Sequence, residues 1–423
     1  MTQNLLKPKE AVLVFIAFAS AYFASTLIRA ITATLSPVLT IELSLQAHEL
    51  GLLAGGFSLG FAMVQIPMGD WLDKYGPKKT AILLMAFAVL GCICFALAEN
   101  FYALWLARIL TGIGVSGCLM APLTGNRRWL TPSAQLRANS WLLMAGSLGM
   151  LMSTLPVQWL LPVTGWRVMF FGLAFLLVGS MLAIITWTPR WELGGGRERH
   201  QSSALEDHEK TGQENGIKAY LQVMAHPYFR RSAPVGFMAY GSLLAIQTLW
   251  AGPWMVNVDH YSQYESAMGL FAINLATLIC FGWWGWAMPR MQGRGITIQN
   301  LVKNGYPLSL ISLGALLFAG SGYSALIIIC FCLTSSVIAM VQPTVGLSYP
   351  ASLAGKALCA YNLVIFLGIF VVQWGLGLMI DAFKVWGLSQ VDSYRAAFFV
   401  DLCCCGVSYI HYVIAKDDNP LGN

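Results

Sequence analysis

Residues 11–39 form an apolar run long enough to cross a hydrocarbon core of about 30 Å, yet a full charge, Arg29, lies well inside it. A cation in hydrocarbon costs several kcal/mol, at about 2.5–3.5 on insertion scales, unless it faces a wet cavity, a partner or a ligand. The run is therefore a spanning helix with one wet face. At 100° per residue Tyr22, Ser25, Thr26, Thr32 and Ser36 fall within about 60° of Arg29, whereas Leu27, Ile28, Ile31 and Leu35 lie off its centre line. With residues 31–39 still ahead of it, Arg29 is roughly 12–15 Å from the outer interface, too deep to snorkel easily. A cavity-facing arginine is the expectation.

The rest of the chain repeats this design. Of 423 residues 57% are hydrophobic and 10% charged, which excludes a soluble globular protein. Runs of about 20 apolar residues place helices at 11–39, 48–70, 79–98, 102–123, 136–161 and 168–187. Six more follow at 232–257, 267–288, 300–319, 324–347, 357–380 and 394–414. The expectation is an all-α polytopic membrane protein with a six-helix bundle over 1–189, a linker over 190–231 and a second bundle over 232–423. This layout puts 20 of the 25 Lys and Arg on the side of the N-terminus, three opposite (Arg167, Lys384, Arg395) and two inside helices (Arg29, Arg108). Both termini are then expected in the cytoplasm, in a bacterial inner membrane. The same spread explains the +6 net charge without nucleic acid.

The ten cysteines sit in apolar segments as small packing residues, so no structural disulfide is expected. The first run is too long for a signal peptide and should remain in the mature protein. The linker carries Gly194-Gly195-Gly196, a mixed-charge run and a short surface helix near 218–225. Its His200 and His208 lack the cysteines and spacing of a metal site, and no metal or cofactor is expected.

The halves echo one another. Pro37 pairs with Pro253 and Gly69 with Gly285 at an offset of 216, and Gln158-Trp159 with Gln373-Trp374 at 215. Repeated halves that hold a substrate between them near the midplane are a transporter design.

After the second helix comes Gly69-Asp70-Trp71-Leu72-Asp73-Lys74-Tyr75-Gly76-Pro77-Lys78-Lys79, an acid at a helix end backed by lysines. The pattern resembles the signature loop of the major facilitator superfamily. That resemblance implies a gating role for Gly69, Asp73, Lys74 and Gly76, with Asp73 latching the two halves. Pro77 stands where the family commonly has Arg, and the second-half copy has Pro289 in place of the acid. The fourth helix reads Arg108-Ile-Leu-Thr-Gly112-Ile-Gly114, which resembles the family's Arg and glycine motif. There the Arg lies near the first helix and handles protons. Here Arg108 either shares a cavity with Arg29 or only positions the first helix. Gly165-Trp166-Arg167 matches another family feature and reads as an interfacial anchor. The fifth helix lacks the Gly-Pro element of drug/proton antiporters, having Gly146, Gly149 and Pro156. The arginine-bearing first helix is more similar to the branches that take organic acids or oxyanions.

Tyr240, Gln247 and Trp254 fall on one stripe of the seventh helix, with Trp250 about 60° away, and are expected to face Arg29. Asn362 and Gln373 share a face of the eleventh helix, and Gln342 and Gln65 add single amides, each serving either the site or interhelical hydrogen bonding. The substrate-binding set is thus Arg29, Tyr22, Thr26, Arg108, Tyr240, Gln247, Trp250 and Asn362. Two arginines in a cleft with few acids imply an anionic small molecule, a carboxylate that guanidinium grips bidentately. The expected activity is its import by alternating access, in a monomer. Proton coupling is left open, since Asp401 is the acid clearly inside a helix, while Glu42 and Asp381 sit at outer helix ends where a gate would be. The rival is proton-driven efflux of drugs or metabolites. An enzyme would need clustered His, Asp or Cys at depth, which is missing.

Overall fold

The computed structural model describes residues 6–189, 212–320 and 322–415. His200 and His208 lie outside them. Twelve crossings follow from ten long apolar helices because two of the ten, Gln65–Leu97 and Leu155–Trp187, are each broken in two. The breaks are at Gly76 (φ 76°) and Gly165 (φ 70°), left-handed positions that a side chain would strain. In chain order the crossings are α1 (Pro8–Glu42), α2 (Ala47–Met63 with 65–75), α3 (77–97), α4 (Phe101–Trp129), α5 (Pro132–Met152 with 155–164) and α6 (166–187). Then come α7 (Pro227–Asn257), α8 (Gln263–Gln292), α9 (Ile298–Phe318), α10 (Ser324–Leu347), α11 (Ala351–Val385) and α12 (Gln390–Ile414). The surface helix foreseen in the linker spans Gly212–Ala225.

Local chemistry sets these boundaries. Asn100 caps α4 by accepting from the Ala103 amide at 3.0 Å, and Lys78 donates to the last carbonyls of α6, Ile185 (2.6 Å) and Thr188 (2.8 Å). Outward faces carry large apolar residues, as lipid demands: Val163, Phe175 and Phe318 are 81%, 81% and 88% exposed.

Small residues bring the helices together. A Cβ at Gly112 would strike the Phe57 carbonyl of α2 and one at Gly114 the Ala88 backbone of α3, which is why the α4 motif needs glycine. On the side away from the termini, the far side, α1 meets α7 at Ala33 and Gly252, and α2 meets α11 at Gly51 and Gln373 and at Ala47 and Gly377.

Candidate functional site

α1 runs past the centre of the molecule with its polar residues pointing three ways. Thr26 donates to the Gly146 carbonyl of α5 at 2.7 Å, and Thr34 to the Ser153 carbonyl at 2.8 Å. Thr32 bonds Arg108 of α4. Between these directions lie Tyr22, Ser25 and Arg29. Thr26, expected at the substrate, is 2% exposed and committed to α5.

Arg29 is half-buried and has no hydrogen-bond or ion-pair partner among the described residues. Its neighbours are aromatic. The guanidinium carbon lies 5.9 Å from the Phe61 ring of α2 and 5.5 Å from the Phe366 ring of α11, and those rings stack at 3.8 Å across the two halves of the chain. Cation–π attraction offsets part of the desolvation cost but supplies no acceptor for the guanidinium donors. Tyr22 and Tyr240 both lie close enough to interact electrostatically with Arg29. Tyr22 is positioned by α5, because its ring occupies the place where a Cβ of Gly146 would be.

Arg108 does not join this cluster. It is 1% exposed, donates Nη1 to the Ile28 carbonyl at 2.9 Å and Nη2 to Thr32, and lies between the Phe57 and Phe95 rings at 5.5 and 5.8 Å. Of the two roles foreseen, its contacts are those of a brace on α1.

The α7 stripe also differs from expectation. Two π-helical turns, Gly236–Tyr240 and Ile246–Trp250, shift the phase that a uniform 100° assumes. Tyr240 faces Arg29, but Gln247 turns to α8, donating to Asn274 at 3.1 Å. Trp250 donates to the Gln373 carbonyl of α11 at 3.0 Å and Trp254 to Ser324 of α10 at 3.0 Å. Asn362 accepts from Gln342 at 2.5 Å, one turn of α11 from Phe366.

The residues expected to gate lie at the other end. Asp73 lies near Asp70, which opposes its charge, and near Lys356 on α11 and Arg127 and Arg128 at the end of α4, which favour it. Gly69 lies beside Tyr220 of the linker helix and Cys359 of α11. Lys74 is exposed with its ammonium 5.3 Å from the Tyr75 ring. On the far side, Glu42 joins Trp166 (2.7 Å) and Arg167 (2.5 Å), a lock within the first half and not a gate. Asp381 does bridge the halves: it accepts from the Ala47 and His48 amides (3.3 and 2.7 Å) at the start of α2 and pairs with the His48 ring at 2.8 Å.

Two surface clefts lie away from Arg29. One of about 500 Å³ is lined by Glu42, Gln158, Trp166 and Arg167, the other, of about 410 Å³, by Phe15, Trp129, Arg137 and Trp141. Sequence reading missed Phe61, Phe366 and His48. Nothing in an apolar run marks which phenylalanine will meet its counterpart from another helix.

Known proteins place this arrangement. The sequence model of the Major Facilitator Superfamily matches residues 15–373. A probable L-galactonate transporter of Escherichia coli (strain K12) is 30% identical over 209 residues, 49% of this chain and 42% of that protein. A probable sulfoacetate transporter of Cupriavidus necator is 23% identical over 253 residues, 58% of this chain and 57% of that one. The match thus spans about half the length of each of these relatives. In three dimensions the crystal structure of a D-xylose-proton symporter superposes with a TM-score of 0.76 over 97% of this chain and 98% of that one, at 13% identity, a likeness of fold alone. With twelve crossings, a signature loop at Asp73 and a family match over most of its length, the chain belongs to the major facilitator superfamily.

Proposed function

We propose that this transporter imports a small organic anion whose carboxylate is held by Arg29 near the midplane. One observation carries the reading: a half-buried guanidinium with no hydrogen-bond or ion-pair partner among the described residues. An anion offsets that desolvation and makes bidentate charge-assisted bonds, so Arg29 is complete only when loaded. The names of the relatives, galactonate and sulfoacetate transporters, support the anionic class.

In this reading residues 1–189 and 232–423 rock about the site as two bodies of a monomer, with both termini in the cytoplasm of a cell whose inner membrane holds the chain. Asp381 of α11, bonded to the start of α2, seals the outside and Asp73 latches the inside. Arg29 takes the carboxylate, and the Tyr22 and Tyr240 hydroxyls flank it. Among the described residues no acid pairs with Arg29; Asp401, 3% exposed and bonded by Ser242 at 2.5 Å, is a buried acid within a spanning helix that is available for coupling.

Uptake into proteoliposomes tests both parts. Arg29→Gln should abolish accumulation of the transported anion while the protein stays folded, and an inward proton gradient should raise the initial rate if a proton travels with it. Arg29-independent uptake, or stabilisation by lipophilic cations in place of anions, would favour efflux and overturn the import reading.

A further inference from the structure

The polar groups around Arg29 define its substrate more narrowly than "anion". From the combination of free and engaged groups we infer that the site is built for a small monoanion with a flat apolar body, such as an aromatic monocarboxylate, and not for a polyhydroxylated sugar acid. This rests on Arg29 being the anchor.

Recognition of a sugar acid needs several amides or carboxylates free to pair with its hydroxyls, because each hydroxyl buried without a partner costs affinity. The amides of the central region are already engaged with one another or with a neighbouring hydroxyl. Gln247 donates to Asn274 and Thr277, Gln373 to Thr248 at 3.1 Å, and Gln342 to Asn362. Gln65 donates to its own helix at Phe61. Of the amide oxygens left over, Gln65 Oε1 and Gln373 Oε1 are sealed from solvent in residues 0% and 3% exposed, and Gln247 Oε1 belongs to a residue 4% exposed; Gln342 Oε1 and Asn362 Nδ2 keep a free valence beside their shared bond. Among the described residues the Ser25, Tyr22 and Tyr240 hydroxyls beside Arg29 have no hydrogen-bond partner, and two of these three are carried on aromatic rings.

The surface next to the guanidinium is correspondingly apolar. Phe61 and Phe366, 6% and 7% exposed, stack on each other within 6 Å of it, one from each half of the chain. A ligand whose carboxylate reaches Arg29 lays its body along these rings, where an aromatic plane gains stacking and a hydroxylated chain gains nothing. Because the two rings come from opposite halves, a flat ligand also touches both moving bodies at once.

The test is binding to the purified full-length protein, followed by thermal shift and by quenching of intrinsic tryptophan fluorescence. The probes are benzoate and phenylacetate, D-galactonate and D-glucuronate, and acetate as a bare carboxylate. The expected result is binding of benzoate or phenylacetate at least 10-fold tighter than of either sugar acid. Phe366→Leu should weaken the aromatic acids about 10-fold and leave acetate unchanged, and Arg29→Gln or Arg29→Lys should weaken all of them. Arg29-dependent binding of galactonate or glucuronate that equals or exceeds that of the aromatic acids overturns the inference while leaving Arg29 as the anion anchor. Loss of neither class in both Arg29 variants, or no stabilisation by any anion, removes the anchor and the inference with it.

Discussion

Arg29 and Arg108 lie at comparable depth in the same half of the molecule, and each is packed between two phenylalanines. They differ in what receives their protons. Arg108 finds the Ile28 carbonyl and Thr32, both on α1, so its charge is used inside the bundle. Arg29 finds none, and one of its two rings belongs to the other half of the chain. An intramembrane arginine is therefore not informative by itself. Its acceptors decide whether it braces a helix or awaits a ligand.

The largest effect should come from removing the unpaired charge. Arg29→Gln is expected to lower anion uptake by about two orders of magnitude, the equivalent of roughly 3 kcal/mol for a buried charge-assisted contact. Its melting temperature should hold or rise, since a desolvated cation without a partner has been removed. A clear fall in melting temperature with normal uptake would make Arg29 a structural residue like Arg108.

Arg108→Gln should invert that pattern. It leaves the Ile28 carbonyl and Thr32 without their donors in a buried site, at a cost of about 2–3 kcal/mol of stability, whereas the affinity of the folded fraction stays near the parent value. Denaturation monitored by tryptophan fluorescence, beside ligand titration of the same sample, separates the two. Loss of binding at unchanged stability would place Arg108 in the substrate site after all. A smaller effect is expected one helix away, where Gly146→Ala puts a Cβ into the Tyr22 ring and moves its hydroxyl from beside Arg29. Affinity should drop roughly 10-fold, about 1.4 kcal/mol, with little change in overall fold. An unaltered affinity would remove Tyr22 from the set around the anion.

How far the sequence reached follows the same division. Twelve apolar runs, the loop at Asp73 and the α4 glycines are one-dimensional patterns, and each appears in the structure near its expected place. Arg29 was legible because a charge in an apolar run is conspicuous whatever surrounds it. Arg108 was equally conspicuous, but its role depends on the rotation of α1 against α4, which no spacing records. The α7 stripe departs from even spacing for a definite reason: two π-helical turns break the constant angle on which a stripe depends, and nothing in Gly236–Tyr240 or Ile246–Trp250 announces them. Phe61 and Phe366 were invisible because contacts between phenylalanines distant in sequence leave no periodic trace.

The smallest effect concerns how far the halves part around Arg29, which is half-buried here. On the far side Asp381 closes α11 onto the start of α2 through two amides and the His48 ring. Asp381→Asn keeps an acceptor for the amides but removes the charge that the helix N-terminus favours, worth about 0.5–1 kcal/mol at a partly exposed site. That corresponds to a shift of roughly two- to five-fold toward far-side-open molecules, readable as a longer distance between spin labels at Ile41 and Trp386, both well exposed. Glu42→Gln serves as the control, because its partners Trp166 and Arg167 lie in its own half and loosening them leaves the distance unchanged. Equal shifts in both variants would mean that surface charge in general, and not the bridge between halves, governs when Arg29 is uncovered.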